Sequence, residues 1–180
     1  SGSRRGIVSY GTINTLTNVG NINAPLGNVD NSGAVNTFNN LQGASLSAPV
    51  KVSGLPSFYN IIVYSSTNYG QIINGGALSP FTFNIYGNTG TTLVSDVSAS
   101  TLMLGTYTGI LQNFSTLSGV TNTSGSYGSY LWNIIQTPAV SNSWDLVIST
   151  NINSGNSYFA SQLGAGGVNP VFSGGTLVMD

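Results

Sequence analysis

The sequence predicts an all-β protein, in which short parallel β-solenoid rungs at the N-terminus join an antiparallel β-sandwich module. Three observations predict it. A motif rich in Asn and Gly repeats near the N-terminus, alternating apolar and polar residues fill the middle, and no stretch keeps helical periodicity beyond two turns.

The repeat comes first along the chain. Gly11-Thr-Ile-Asn-Thr-Leu-Thr-Asn18 returns 22 residues later as Gly33-Ala-Val-Asn-Thr-Phe-Asn-Asn40. The echo continues from Ile22-Asn-Ala-Pro-Leu26 to Leu46-Ser-Ala-Pro-Val50 at an offset of 24, which places a two-residue insertion near Leu41-Gln42. Within each copy lies a smaller unit, apolar-x-Asn/Ser-x-Gly-x-apolar, at Ile7 to Ile13, Leu16 to Ile22 and Val29 to Val35, with a looser fourth from Phe38 to Leu46. A period of about 20 residues built from short strands suits a parallel β-solenoid. Gly and Asn tolerate the backbone of its corners, and each short strand sends apolar side chains inward. Asn18 and Asn40 are then expected to stack, their amides bonding from rung to rung. The competing reading is an ordinary β-sandwich with turns rich in Asn and Gly. Two rungs alone call for further neighbours or a capping module.

From about Val52 alternation replaces the repeat. Strands are expected at Phe58–Tyr64, Phe81–Tyr86, Thr91–Val97, Tyr107–Phe114, Tyr130–Gln136 and Trp144–Ser149, separated by turn signals such as Asn74-Gly75-Gly76 and Thr121-Asn-Thr-Ser-Gly125. The expected organisation is 1–3 as an expression scar, 4–51 as solenoid repeats, 52–150 as the sandwich module, and 151–180 as a linker leading into another rung.

Composition narrows the chemistry. Asn, Ser and Thr supply 66 of the 180 residues, whereas only Arg4, Arg5, Lys51, Asp30, Asp96, Asp145 and Asp180 carry charge. Three cations cannot release enough counterions to bind nucleic acid. Without Cys or His there is no thiolate or imidazole metal site, and a hard-cation site would need scattered aspartates, so no metal or other cofactor is expected. A Ser-His-Asp or Cys-His nucleophile cannot be built, and the remaining option is a carboxylate pair drawn from four aspartates. The chain is not expected to be an enzyme. No aliphatic run exceeds three residues, as in Ile61-Ile62-Val63, so no direct membrane insertion is expected.

Binding residues are sought among the aromatics. Trp132 and Trp144 share strand faces with Tyr130 and Ile134, and with Leu146 and Ile148, so both are assigned to the core rather than to a sugar-stacking platform. Tyr127 and Tyr130 lie in or beside the loop-like Ser124-Gly-Ser-Tyr-Gly-Ser129, and Tyr69 lies in Ser66-Thr-Asn-Tyr-Gly70. These three are the candidate ligand residues, since Tyr, Ser and Gly favour binding loops. The competing reading has them capping the sandwich ends. Asp145 is expected at a solvated strand position, and Asp30 and Asp96 in turns or caps.

The rungs at 11–22 and 33–46 resemble passenger regions of Gram-negative autotransporter adhesins. The segments Tyr59-Asn-Ile-Ile-Val63, Thr67-Asn-Tyr-Gly-Gln71, Gly105-Thr-Tyr-Thr-Gly-Ile-Leu111, Tyr127-Gly-Ser-Tyr-Leu-Trp-Asn133 and Trp144-Asp-Leu-Val147 look like modules that interrupt or follow such rungs. Phe172-Ser-Gly-Gly-Thr-Leu-Val178 is similar to the start of another. The resemblance implies a fragment displayed on the bacterial surface and anchored through an outer-membrane barrel outside this chain. It implies contact with a glycan, a host surface, a neighbouring cell or a sister molecule, and names no catalytic residue. A spacer or cap that binds nothing, a self-assembling filament or surface-layer subunit, and a polysaccharide-acting enzyme are the alternatives.

Overall fold

The computed structural model describes residues 6–24, 28–45, 48–88, 93–94, 103–127, 130–150, 171–173 and 176–178. The chain forms two compact units, Ser1–Ser149 and Thr150–Asp180.

The first unit begins as a parallel coil. β1 (Ile7–Ser9) pairs in parallel with β3 (Val29–Asn31), and β2 (Thr12–Asn18) with β4 (Ala34–Asn40). The register reproduces the sequence repeat, setting Ile7 on Val29, Ile13 on Val35, Leu16 on Phe38 and Asn18 on Asn40. Asn18 Nδ2 donates to Asn40 Oδ1 at 3.1 Å, so the amides bond between rungs as expected. The corner between the two strands of a turn is tight. A Cβ on Gly33 would lie 2.2 Å from the Gly11 carbonyl oxygen of the turn before, so only glycine lets the two corners approach.

The parallel coil continues past Val52, beyond the boundary expected from the sequence. β5 (Val50–Val52) joins β3, and β6 (Phe58–Ser65) lies parallel to β4. β8 (Ile72–Asn74) and β9 (Phe81–Asn88) form the next turn, parallel to β5 and β6 respectively. Phe58–Tyr64 and Phe81–Tyr86, expected as antiparallel sandwich strands, are therefore rungs. Their sequences no longer match the repeat, but parallel pairing asks only for extended backbone and inward apolar side chains. Here Phe38, Tyr59 and Phe83 stack as register partners, with ring centroids 6.0 and 6.1 Å apart. Between β6 and β9, β7 (Asn68–Tyr69) folds back antiparallel on β6.

The antiparallel region follows. β11 (Gly105–Gln112) is parallel to β8 on one side and antiparallel to β15 (Ser143–Thr150) on the other. β14 (Tyr130–Gln136) and β13 (Ser124–Tyr127), an antiparallel pair, complete an eight-stranded sheet ordered β1-β3-β5-β8-β11-β15-β14-β13. The other sheet runs β10-β9-β6-β4-β2, where β10 is Leu93–Val94, and β12 (Val120–Thr121) also pairs with β9. One core gathers inward residues of both sheets, among them Phe38, Tyr59, Ile61, Ile72, Phe83, Tyr107, Leu111, Phe114 and Leu146. All-β architecture, parallel rungs and an antiparallel region are thus all present. In the second unit, β16 (Val171–Ser173) and β17 (Thr176–Val178) pair with each other as an antiparallel hairpin.

Both tryptophans pack as expected. Trp132 is buried, its ring 6.0 Å from Phe83, and Trp144 packs against the core while its Nε1 donates to the Phe114 carbonyl at 2.8 Å. Asp145 departs from expectation. It is 2% exposed, and its Oδ1 accepts from Gly109 N at 2.8 Å and from Thr137 Oγ1. Alternation correctly turns Asp145 away from the Trp144 face, but a bulge in β11 between Tyr107 and Leu111 brings the Gly109 amide onto it. Gly109, at φ 61°, aims that amide at the carboxylate. Asp30, expected in a turn or cap, lies inside β3 instead, accepting from Ser32 Oγ two residues on and from Ser53 Oγ of the next turn of the coil. Asp96 lies outside the described residues.

Candidate functional site

The three tyrosines are not one site. Tyr69 belongs to the seven-stranded sheet through β7, whereas Tyr127 and Tyr130 are cross-strand partners in the eight-stranded sheet. Tyr69 is 5% exposed, its ring edge-on to Tyr107 at 5.2 Å. Its hydroxyl accepts from Thr108 N at 3.1 Å and lies 3.2 Å from the Thr108 carbonyl oxygen, to which it donates. Tyr69 is therefore a clamp between β7 and β11, with no open ring face to offer a ligand. Burial pushes the Tyr107 phenol above its ordinary range, and the Tyr69 hydroxyl beside it adds to the shift.

Ser124–Tyr127, read from composition as loop, is strand β13, and it presents a face rather than a tip. Tyr130 is half-buried and packs against the core; the Tyr127 side chain lies outside the described residues. On the solvent side of this hairpin is an open depression of 520 Å³ lined by Ser124, Gly125, Ser126, Leu131, Trp132, Asn133 and Ser149. Period-two alternation explains the lining: Tyr130, Trp132 and Ile134 point to the core, so Leu131 and Asn133 point out, and Ser126 and Ser124 are their cross-strand partners. Gly125 stands opposite Trp132, and a Cβ there would come within 2.7 Å of the indole Nε1. Glycine thus leaves room for the indole on the core face of the hairpin.

No lining residue is ionisable. Three hydroxyls and an amide supply donors and acceptors around an apolar floor, which can exchange hydrogen bonds with an uncharged polar ligand but cannot neutralise an ion or move a proton. Comparison with protein-family models, curated proteins and solved structures returned no match. Function therefore rests on this geometry and on the sequence. Among the described residues no three acidic side chains come together in a way that could hold a metal ion. The sequence signal for the depression was the alternation Leu131-Trp132-Asn133 beside Ser124-Gly-Ser126, which the loop reading of that segment concealed.

A second polar centre is buried. Asn40 is fully buried and accepts from Asn18 Nδ2 and from Gln42 N, while donating to the carbonyls of Gln42 and Gln71. Gln42, 1% exposed, accepts from Ile22 N at 2.7 Å and donates to the carbonyls of Ile22 and Ala48. The inserted Leu41-Gln42 thus supplies the pin that ties three corners together. Every partner is internal, so this centre is structural.

Proposed function

We infer that this chain is a segment of a surface-displayed adhesin passenger, in which the parallel coil is a stiff stalk and the β13–β14 face contacts a neutral glycan on a host or neighbouring cell. The observation that supports the contact is the charge-free depression lined by Ser124, Ser126, Asn133 and Ser149 around the outward Leu131. Glycan hydroxyls pair with hydroxyls and amides, and their C–H faces with the exposed Leu131, at no cost in ion desolvation. The bacterial surface, reached through an outer-membrane barrel outside this chain, is the location that the resemblance to autotransporter passengers implies.

The test is a glycan array probed with the whole chain. Saturable retention on an uncharged glycan is expected, and Asn133→Ala and Ser126→Ala should each weaken it about tenfold, with Tm unchanged because both side chains are exposed. Tyr127→Ala is the third variant. Silence on every neutral glycan would overturn the attachment reading in favour of a cap, which one feature favours: the parallel order of the eight-stranded sheet stops at β11, where antiparallel β15 takes over.

A further inference from the structure

Among the described residues, the first turn of the coil has a neighbour on one side only. Ile7, Ile13 and Leu16 are half-buried, whereas their register partners Val29, Val35 and Phe38 are 3%, 4% and 1% exposed. β1 and β2 are the terminal strands of their sheets, so each carries a row of backbone groups that pairs with no described strand. Tyr10 and Val19, at 82% and 54%, are the two most exposed large apolar side chains among the described residues, and both flank β2.

Apart from the buried Asn18, whose amide donates onward to Asn40, the side-chain ladder on this sheet has a direction. Asn122 donates to Asn84, Asn84 to Asn60, Asn60 to Asn39, Asn39 to Thr17 and Asn36 to Asn14. Each amide hydrogen points toward the turn before. Asn14 and Thr17 end these rows: they accept from β4, and their own Nδ2 and hydroxyl hydrogens meet no acceptor among the described residues. The edge thus calls for apolar groups over Ile13 and Leu16, oxygen acceptors over Asn14 and Thr17, and an extended uncharged backbone. That spacing is written in β2 itself, as Ile13-Asn-Thr-Leu-Thr17, and again in β4, as Val35-Asn-Thr-Phe-Asn39.

We propose that the N-terminal end of the coil is an interaction surface for another turn of this same repeat, docked parallel and in register over β1 and β2, with Asn14 and Thr17 donating to its Asn or Thr oxygens. The contact continues an interface already formed between the first and second turns. A second copy meeting this end across a two-fold axis would run antiparallel and oppose donor row to donor row, so the polarity of the ladder selects a parallel turn. The surface is separate from the β13–β14 depression and stands or falls independently of the glycan reading.

A synthetic peptide with the sequence of residues 7–24, titrated into the whole chain, tests this by amide hydrogen exchange. Saturable slowing is expected at the amides of Ile7–Asn18 that do not already bond within the coil. Asn14→Asp in the chain keeps the acceptor for Asn36 but loses the outward donor, and should weaken docking about tenfold without lowering Tm. A peptide carrying Thr15→Pro should not dock. Absence of slowing, equal slowing by a scrambled peptide, or slowing that appears without peptide as the protein is concentrated would each overturn the proposal, the last in favour of a head-to-head pair.

Discussion

Replacing Asn60 by alanine removes the middle of a buried amide ladder. Asn60 is 1% exposed; its Nδ2 donates to Asn39 Oδ1 at 2.7 Å and its Oδ1 accepts from Asn84 Nδ2 at 2.9 Å. Alanine strands both partners. Asn39, 8% exposed, keeps a buried oxygen without a donor, at about 1–3 kcal/mol. Asn84 is half-buried and can turn to water, so its loss is nearer the net value of one hydrogen bond, about 1 kcal/mol. The sum is about 3 kcal/mol out of a total stability of about 5–15. For a domain of this size that lowers Tm by about 6–12 °C. The assay is a urea or thermal melt of Asn60→Ala beside Asn36→Ala, whose exposed bond to Asn14 at 3.3 Å should be worth less than about 0.5 kcal/mol. Asn60→Asp sharpens the test. It keeps the acceptor for Asn84 but sets a carboxylate oxygen against Asn39 Oδ1, so at neutral pH it should lose more than alanine does. If Asn60→Ala melts within error of Asn36→Ala, the ladder is not a stabilising element and the reasoning fails.

Two further outcomes follow from buried groups. Asp145→Ala leaves the buried Gly109 amide without its acceptor, while the Thr137 hydroxyl can still donate to Ser143 Oγ at 2.9 Å, and should cost about 2 kcal/mol in a urea melt, whereas Asp145→Asn, which retains Oδ1, should cost less than half of that; equal losses would show that Asp145 only fills space. Burial pushes the Tyr59 phenol well above its ordinary 10.0, against a smaller opposing effect of its hydrogen bond from Asn40. The folded state then holds a proton that the unfolded chain releases, so stability is fully present below pH 10 and falls as pH rises beyond it, by about 1.4 kcal/mol per pH unit from this group. Tyr59→Phe should flatten that alkaline decline in a pH series of thermal melts.

Legibility followed how locally each feature is specified. The pairing of Asn18 with Asn40 was readable because a repeat of fixed period places equivalent residues one above the other. The two tryptophans were readable because alternation alone assigns a strand face. Phe58–Ser65 and Phe81–Asn88 kept the strand signal but lost the repeat, and nothing in an isolated strand says whether its neighbour runs parallel or antiparallel. The candidate site was legible only in part. Tyr130 and the serines beside it lie at the hairpin that forms the depression, but Tyr69, chosen on the same composition, is sealed between β7 and β11.

The sequence by itself determined an all-β chain, the spacing of the first rungs, an uncharged surface chemistry and the inward faces of β14 and β15. These depend on side-chain type at short or repeating intervals, which a linear reading samples directly. Only the tertiary structure decided how far the parallel coil extends, that Ser124–Tyr127 is a strand, and that Asp145 is buried. Each of these depends on a partner outside the segment itself: β9 meets β6 24 residues along the chain, β14 folds back on β13 across a hairpin, and the Gly109 amide is brought 36 residues to Asp145. Burial and pairing are properties of what arrives from elsewhere in the fold, and the sequence around a residue does not contain its partner.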